Sequence, residues 1–299
     1  MSVPSLLSIF GNSGSADPVY VDDIFSTFVY EGNGGTQSIN NGIDLSGKGG
    51  LVWFKQRNGN TYGGLWDTVR GVTKRLRSDS NIGSPTVTNI VTSFNSNGVS
   101  ISATGGTQIN SNNDDYVSWT FRKQKGFFDV VTYTGNGTAG RTISHSLGSV
   151  PGMIMVKCTD ESVSEPWAVY HRSLGNTKYL SLHETSAEQT SSARWNNTTP
   201  TSSVFTVGSD ANVNQNTKTY VAYIFAHEDA SFGTDGDESI IKCGSYTGIG
   251  DNGRSTIDIG FEPQWVLIKG AESNGTYWII LDNIRGAGDD GQDQPYISE

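Results

Sequence analysis

The stretch Met153-Ile154-Met155-Val156-Lys157, an apolar run closing on lysine, decides how this chain is read, because it has two counterparts. These are Leu51-Val52-Trp53-Phe54-Lys55 and Trp265-Val266-Leu267-Ile268-Lys269. Upstream of each lies an aromatic followed by a glycine turn: Tyr30-Glu31-Gly32-Asn33-Gly34, Tyr133-Thr134-Gly135-Asn136-Gly137 and Tyr246-Thr247-Gly248-Ile249-Gly250. The first glycine and the lysine are 23, 22 and 21 residues apart. Downstream an apolar run closes on Arg70, Arg172 and Arg285, at 15, 15 and 16 residues from the lysine. Three anchors in one order at near-constant spacing are the signature of an internal repeat.

Two copies continue further. Val91-Thr92-Ser93-Phe94 matches Val204-Phe205-Thr206-Val207, and Tyr116-Val117-Ser118-Trp119-Thr120-Phe121 matches Tyr220-Val221-Ala222-Tyr223-Ile224-Phe225. The latter alternates aromatic and small residues with period two, as a half-buried strand does. The third copy reaches Glu299 with neither strand. A sandwich lacking strands exposes sheet edges, so the expectation is a piece of a longer polypeptide. The expected organisation is an N-terminal docking arm (1–24), two β-sandwich repeats (25–125 and 126–233) and an incomplete third (238–299). The joins, Arg122 to Gly126 and Asp229 to Glu238, are short enough to hold the domains in a fixed relation.

Composition agrees with an all-β chain. Only 34% of the 299 residues are hydrophobic and 17% charged, while 37 glycines sit among Ser, Thr and Asn between the apolar runs. No stretch of a dozen residues repeats apolar positions at helical spacing. The net charge is −10, with no basic stripe to neutralise phosphates, which excludes nucleic acid as the expected partner. No run of 18 apolar residues predicts membrane insertion. The start of the chain lacks the basic region of a signal peptide. Cys158 and Cys243 have neither zinc-site nor disulfide-framework spacing and read as buried free thiols.

Chemistry-bearing groups are scattered. His171 aligns with Val69 and Ile284 in the arginine anchor, which predicts a packing position. His145, beside Ser144 and Ser146, lacks a nucleophile-elbow frame. His183-Glu184 lacks a second histidine at helical spacing, and His227-Glu228-Asp229 reads as a solvated strand exit. Carboxylate groupings at Asp114-Asp115, Asp235/Asp237/Glu238 and Asp289-Asp290/Asp293 all fall in turn-rich loops, where Asx turns account for them. No catalytic set, cofactor or metal site is expected. Trp53, Trp119 and Trp265 lie in anchor strands and read as core. Trp195, in a polar loop, and Tyr62, in Asn60-Thr61-Tyr62-Gly63, are the aromatic candidates for glycan contact. Val3, Leu6, Leu7, Ile9 and Phe10 form an apolar cluster ahead of the repeats, suited to docking.

The anchors also resemble, as text, repeated domains of tail and virion proteins of marine bacteriophages, notably cyanophages. The residues that carry this are Ser26 to Gly34 with Asn41 to Leu45, Ser144 to Gly148 with Pro151 to Ile154, Tyr170-His171-Arg172, Tyr220 to Tyr223, and Gly260 to Trp265. The resemblance covers about residues 25–299. It implies laminin-G- or concanavalin-like (jelly-roll) sandwiches and brings no catalytic residues. It further implies a structural protein of a tail fibre or related appendage, located in the virion tail. In that setting Val3 to Phe10 would attach to other virion proteins, and the repeats would project as a homo-oligomer, a trimer favoured, toward a host-surface glycan. The alternatives are a tailspike enzyme degrading host polysaccharide and a head or tail decoration protein.

Overall fold

Each anchor run is apolar at every position rather than at alternate ones, the pattern of a strand covered on both faces. The structure, a computed structural model, describes residues 17–59, 63–106, 108–250 and 256–286. The described residues are mainly β-sheet, with three single-turn α-helices, at Leu45–Lys48, Ser192–Trp195 and Ala211–Asn214.

The first segment contributes β1 (Phe25–Glu31), β2 (Thr36–Asn40), β3 (Gly50–Gln56), β4 (Gly64–Asp67), β5 (Val91–Asn95), β6 (Gly98–Ser102) and β7 (Asp115–Arg122). The second contributes β8 (Phe128–Thr134), β9 (Arg141–Ser144), β10 (Met153–Cys158), β11 (Ala168–His171), β12 (Lys178–Tyr179), β13 (Gln189–Thr190), β14 (Val204–Val207) and β15 (Thr219–Phe225). The third contributes β16 (Trp265–Lys269) and β17 (Trp278–Asp282). Two four-stranded antiparallel sheets run β1-β7-β3-β4 and β8-β15-β10-β11, so the strands correspond one to one in order. A second layer, β2-β6-β5 in the first segment and β9-β14 in the second, covers one face of each.

Alternate residues of the anchor strands serve two different cores. In the first segment Val52, Phe54 and Trp66 face β2 and β6 through Ile39, Val99 and Ile101. In the second, Ile154, Val156 and Tyr170 face Ile143, Phe205 and Val207. The opposite faces meet in a central core that takes Leu51, Trp53 and Trp119 from the first segment, Met153, Met155 and Tyr223 from the second, and Trp278 and Ile280 from the third. Phe121 lies within 5.4 Å, ring centre to ring centre, of both Phe225 and Trp265, tying the three segments at one point. The short joins are therefore backed by a shared apolar core, and β7 and β15 are buried along both faces rather than half-buried.

Local hydrogen bonds explain the glycine turns. The Tyr30 hydroxyl donates to the Ile109 carbonyl and the Tyr133 hydroxyl to that of Val213, each at 2.7 Å. Tyr30 stacks on Tyr116 at 5.3 Å, and Tyr133 on Tyr220 at 5.1 Å. In each turn the first glycine lies against backbone: a Cβ on Gly32 would sit 1.9 Å from the Ser111 carbonyl oxygen, and one on Gly135 2.1 Å from that of Gln215. No side chain fits there.

Three sequence expectations change. Strand pairing matches β14 to β6, not to the β5 stretch Val91 to Phe94, because β9 pairs β14 as β2 pairs β6. The expected arm boundary at residue 24 falls inside the body: Ile24 is fully buried in the central core, with Val19 and Val21 packed against it. Val3, Leu6, Leu7, Ile9 and Phe10 lie outside the described residues, as do Tyr62, Asp289, Asp290 and Asp293. The third change concerns His171. It pairs with Met153 as Asp67 pairs with Leu51 and Asp282 with Trp265, so its counterparts are the two aspartates. Val69 and Ile284 are 45% and 53% exposed and define no packing position.

Candidate functional site

The realigned position opens the most distinctive feature of the molecule. Asp67 ends β4 and Asp282 ends β17, and each is followed three residues later by an arginine: Asp67-Thr68-Val69-Arg70 and Asp282-Asn283-Ile284-Arg285. In both turns the aspartate Oδ1 accepts from the arginine backbone N–H at 2.9 Å, and Oδ2 accepts from arginine Nε at 2.6 Å. Both pairs are buried, with the aspartate side chains fully excluded from solvent. A buried ion pair holds only when its remaining donors and acceptors are satisfied. Here another segment supplies the partner.

For Asp67 and Arg70 that partner is Tyr223 on β15. Its hydroxyl donates to Asp67 Oδ2 at 2.9 Å and accepts from Arg70 Nη2 at 3.0 Å. Burial, opposed by the Arg70 charge, pushes the Tyr223 phenol well above its ordinary pKa, so it stays a neutral donor. Burial works against the Arg70 charge, and Tyr223 and Asp67 outweigh it. For Asp282 and Arg285 the partner is Trp119 on β7. Its indole N–H donates to Asp282 Oδ2 at 3.1 Å, and the Arg285 guanidinium lies 5.1 Å from the ring centre. Trp119 pairs with Trp53 in the β3–β7 register, and Tyr223 pairs with Met155 in the β10–β15 register, so the two aromatics occupy equivalent positions. The central strand of the second segment thus locks into the first, and that of the first locks into the third.

Two further contacts join the segments. Trp167 donates its indole N–H to the Arg77 carbonyl at 2.9 Å, and Trp278 donates to the Ser181 carbonyl at 3.0 Å. Lys157 is wholly buried between the first and second segments, its ammonium donating to the Asn81 and Cys158 carbonyls at 3.1 and 2.8 Å. Burial lowers its pKa from 10.5 to about 8.

A shallow cleft of about 300 Å³ runs along the seam between the first and third segments, lined in part by Asp22, Thr27, Asn41, Gln264 and Asn283. The Thr27 hydroxyl is buried without a hydrogen-bond partner, while the Asn41 amide already donates to Thr120 at 2.7 Å. This lining offers hydrogen bonds to a polar ligand. Among the described residues no grouping of three or more His, Cys, Asp or Glu side chains is placed to hold a metal ion, and no helix is long and apolar enough to cross a membrane.

The residues singled out from sequence do not converge. Trp195 is a core residue, 2% exposed: its indole N–H donates to the Lys178 carbonyl and its ring sits edge-on to Tyr170, so it presents no face to a sugar. Trp53 and Trp119 are buried and Trp265 is half-buried against the central core. His171 is half-buried, and burial, with the nearby Arg172 and His227 charges, lowers its pKa to about 4. His145 is buried and accepts from the Leu147 N–H at 3.3 Å. His183 and His227 each lie beside the glutamate that follows, at 3.3 and 3.1 Å. Cys158 is a buried free thiol, and Cys243 a half-buried one. Aligned on arginine, the third anchor hides the locking residues. The Asp-x-x-Arg spacing in the first and third segments, aligned on aspartate, is the signal that finds them.

Comparison with curated proteins and with solved structures gives no match. The match that is found runs over nearly the whole body, residues 21–294, and includes both Asp–Arg turns and both locking aromatics. The chain belongs to the family described as Domain of unknown function (DUF7483).

Proposed function

We propose that this chain is a structural protein of a phage tail, a fibre or related appendage, built from tandem copies of one jelly-roll or concanavalin-like sandwich. Its virion attachment is assigned to the apolar N-terminal cluster Val3 to Phe10. The observation that carries the structural reading is the pair of buried Asp–Arg–aromatic locks across the segment boundaries. Ion pairs sealed by a group from another segment favour fixed geometry over the opening motions that an enzyme cleft uses. The resemblance of the anchor residues to phage tail domains supplies the setting. Antibody labelling of intact particles tests this reading. Label on a tail appendage, lost when residues 1–16 are deleted while the circular dichroism of the protein is unchanged, supports it. Label confined to the head, or absent from particles, refutes it.

A host-glycan contact is the second reading, and the seam cleft favours it, because Asp22, Asn41, Gln264 and Asn283 line one recess. Glycan-array binding that disappears in Asn283→Ala supports a contact there. Release of reducing ends from host polysaccharide would favour a degrading enzyme instead.

A further inference from the structure

The two joins between segments share one hydrogen-bonding frame and differ in the group that closes it. Phe121 and Phe225 stand at equivalent positions of the central strands, opposite Leu51 and Met153. Three residues after each phenylalanine, a backbone N–H donates to a carbonyl at the start of the next segment: Gln124 to Phe128 at 3.0 Å, and Glu228 to Ile241 at 2.8 Å. In the first join Lys123 then pairs with Asp129, the residue after Phe128, at 2.9 Å. In the second join His227 stands in the place of Lys123. Its Nδ1 accepts from the backbone N–H of Cys243, two residues after Ile241, at 3.1 Å. Its Nε2 lies 3.1 Å from Glu228 Oε2, and the other Glu228 oxygen pairs with Lys242 at 2.8 Å.

Residues 241–243 are thereby strapped onto the strand exit at 226–228. Beneath the strap the Cys243 thiol donates to the Ala226 carbonyl at 3.5 Å and packs on Gly152, where a Cβ would sit 2.7 Å from the sulfur. Glu228 is held at φ 47°, a left-handed conformation that is costly for a residue with a side chain.

We infer that His227 makes the join between the second and third segments an acid-sensitive clasp, which releases residues 241–243 and uncovers the Cys243 thiol when the imidazole takes up a proton. An imidazole nitrogen that gains a proton turns from acceptor to donor, so a protonated Nδ1 opposes the Cys243 N–H. The charged groups facing His227 are Arg172, Glu228 and Lys242. His171 is the other titratable ring beside it, with its own Nδ1 accepting from the Ser173 N–H at 3.3 Å, and burial keeps the Cys243 thiol neutral. A charged His227 therefore sits among two cations and one carboxylate. Burial, joined by the Arg172 and Lys242 charges and opposed by Glu228, holds His227 below the ordinary histidine value, so the clasp is closed at neutral pH. Lys123 keeps its charge as the pH falls, so the first join stays shut. The clasp does not rest on the phage-tail reading.

Thiol labelling with 4,4′-dithiodipyridine tests it, in a Cys158→Ser variant whose single cysteine is Cys243. Each rate is divided by that of a free peptide of residues 239–246 at the same pH. The relative rate should rise about tenfold or more between pH 7 and pH 4.5, as the protonated fraction grows. Adding His227→Asn keeps an acceptor in place of Nδ1 without a group that titrates, and should leave the relative rate flat. Backbone hydrogen exchange of the unsubstituted chain, corrected for the intrinsic effect of pH, reads the clasp independently of the cysteine variant. Protection should be lost in acid at 241–243 and kept at 124–130. A relative rate that ignores pH, an equal rise with His227→Asn, or acid loss of protection at both joins together overturns the proposal.

Discussion

Tyr223 of the second segment donates its phenol to Asp67 of the first at 2.9 Å, inside a site from which the Asp67 side chain is wholly excluded from water. That contact makes the stability of one segment depend on the other. The same relation recurs between Trp119 and Asp282, with an indole in place of the phenol.

Removing the hydroxyl is the mildest test. Tyr223→Phe keeps the ring and leaves Asp67 and Arg70 each one partner short, at a cost of about 1–3 kcal/mol. Asp67→Ala strands a buried guanidinium and costs about 3–5 kcal/mol. In the double variant the two losses overlap, so chemical denaturation should give less than their sum. Strict additivity would show that the hydroxyl and the carboxylate do not interact.

Trp195→Ala separates core from ligand platform. The side chain packs on Tyr170 within the sandwich core of the second segment, so truncation costs about 3–5 kcal/mol. A loss of glycan retention with unchanged stability would contradict its placement.

Gly32→Ala and Gly135→Ala are expected to destabilise alike, by roughly 1–3 kcal/mol, because each forces a Cβ into a carbonyl oxygen of a facing loop. Thermal melts of the two variants make the comparison; a neutral effect at either position would break the equivalence of the turns.

Half-buried His171 and buried Lys157 act at opposite ends of the pH range. The folded His171 pKa, about 4, lies below the ordinary 6.5, so the unfolded chain takes up its proton first. The stability this histidine contributes is complete above pH 6.5 and is lost as pH falls toward 4. Lys157 is also depressed, from 10.5 to about 8, so the folded chain releases its proton first and stability rises between pH 8 and 10.5. The shift corresponds to roughly 3 kcal/mol held against the charged form at neutral pH. Denaturant midpoints of His171→Gln between pH 4 and 6.5, and of Lys157→Met between pH 8 and 10, should change less with pH than those of the parent. Parallel curves would place the titration elsewhere.

The anchors made the strands legible. Leu51 to Phe54 and Met153 to Val156 are apolar at every position, and the structure places them as central strands buried on both faces. What the text concealed was the partner of the second face. A run such as Met153-Ile154-Met155-Val156 carries no mark of which residues face a sandwich layer and which face another segment. Trp195 has polar neighbours in sequence yet is buried for a related reason: Ser191 caps the turn ahead of it, through its hydroxyl and the Ala193 N–H, and turns the indole inward. The Asp-x-x-Arg turns were readable, yet their burial depends on aromatics lying 156 and 163 residues away in the chain, which no local pattern reports.

The three segments share one apolar core and are expected to fold as one body. Differential scanning calorimetry of the parent and of Asp67→Ala tests it most directly. One transition, with calorimetric and van't Hoff enthalpies equal and its midpoint lowered as a whole by the substitution, is the expected result. Separate transitions, with only that of the first segment displaced, would contradict it.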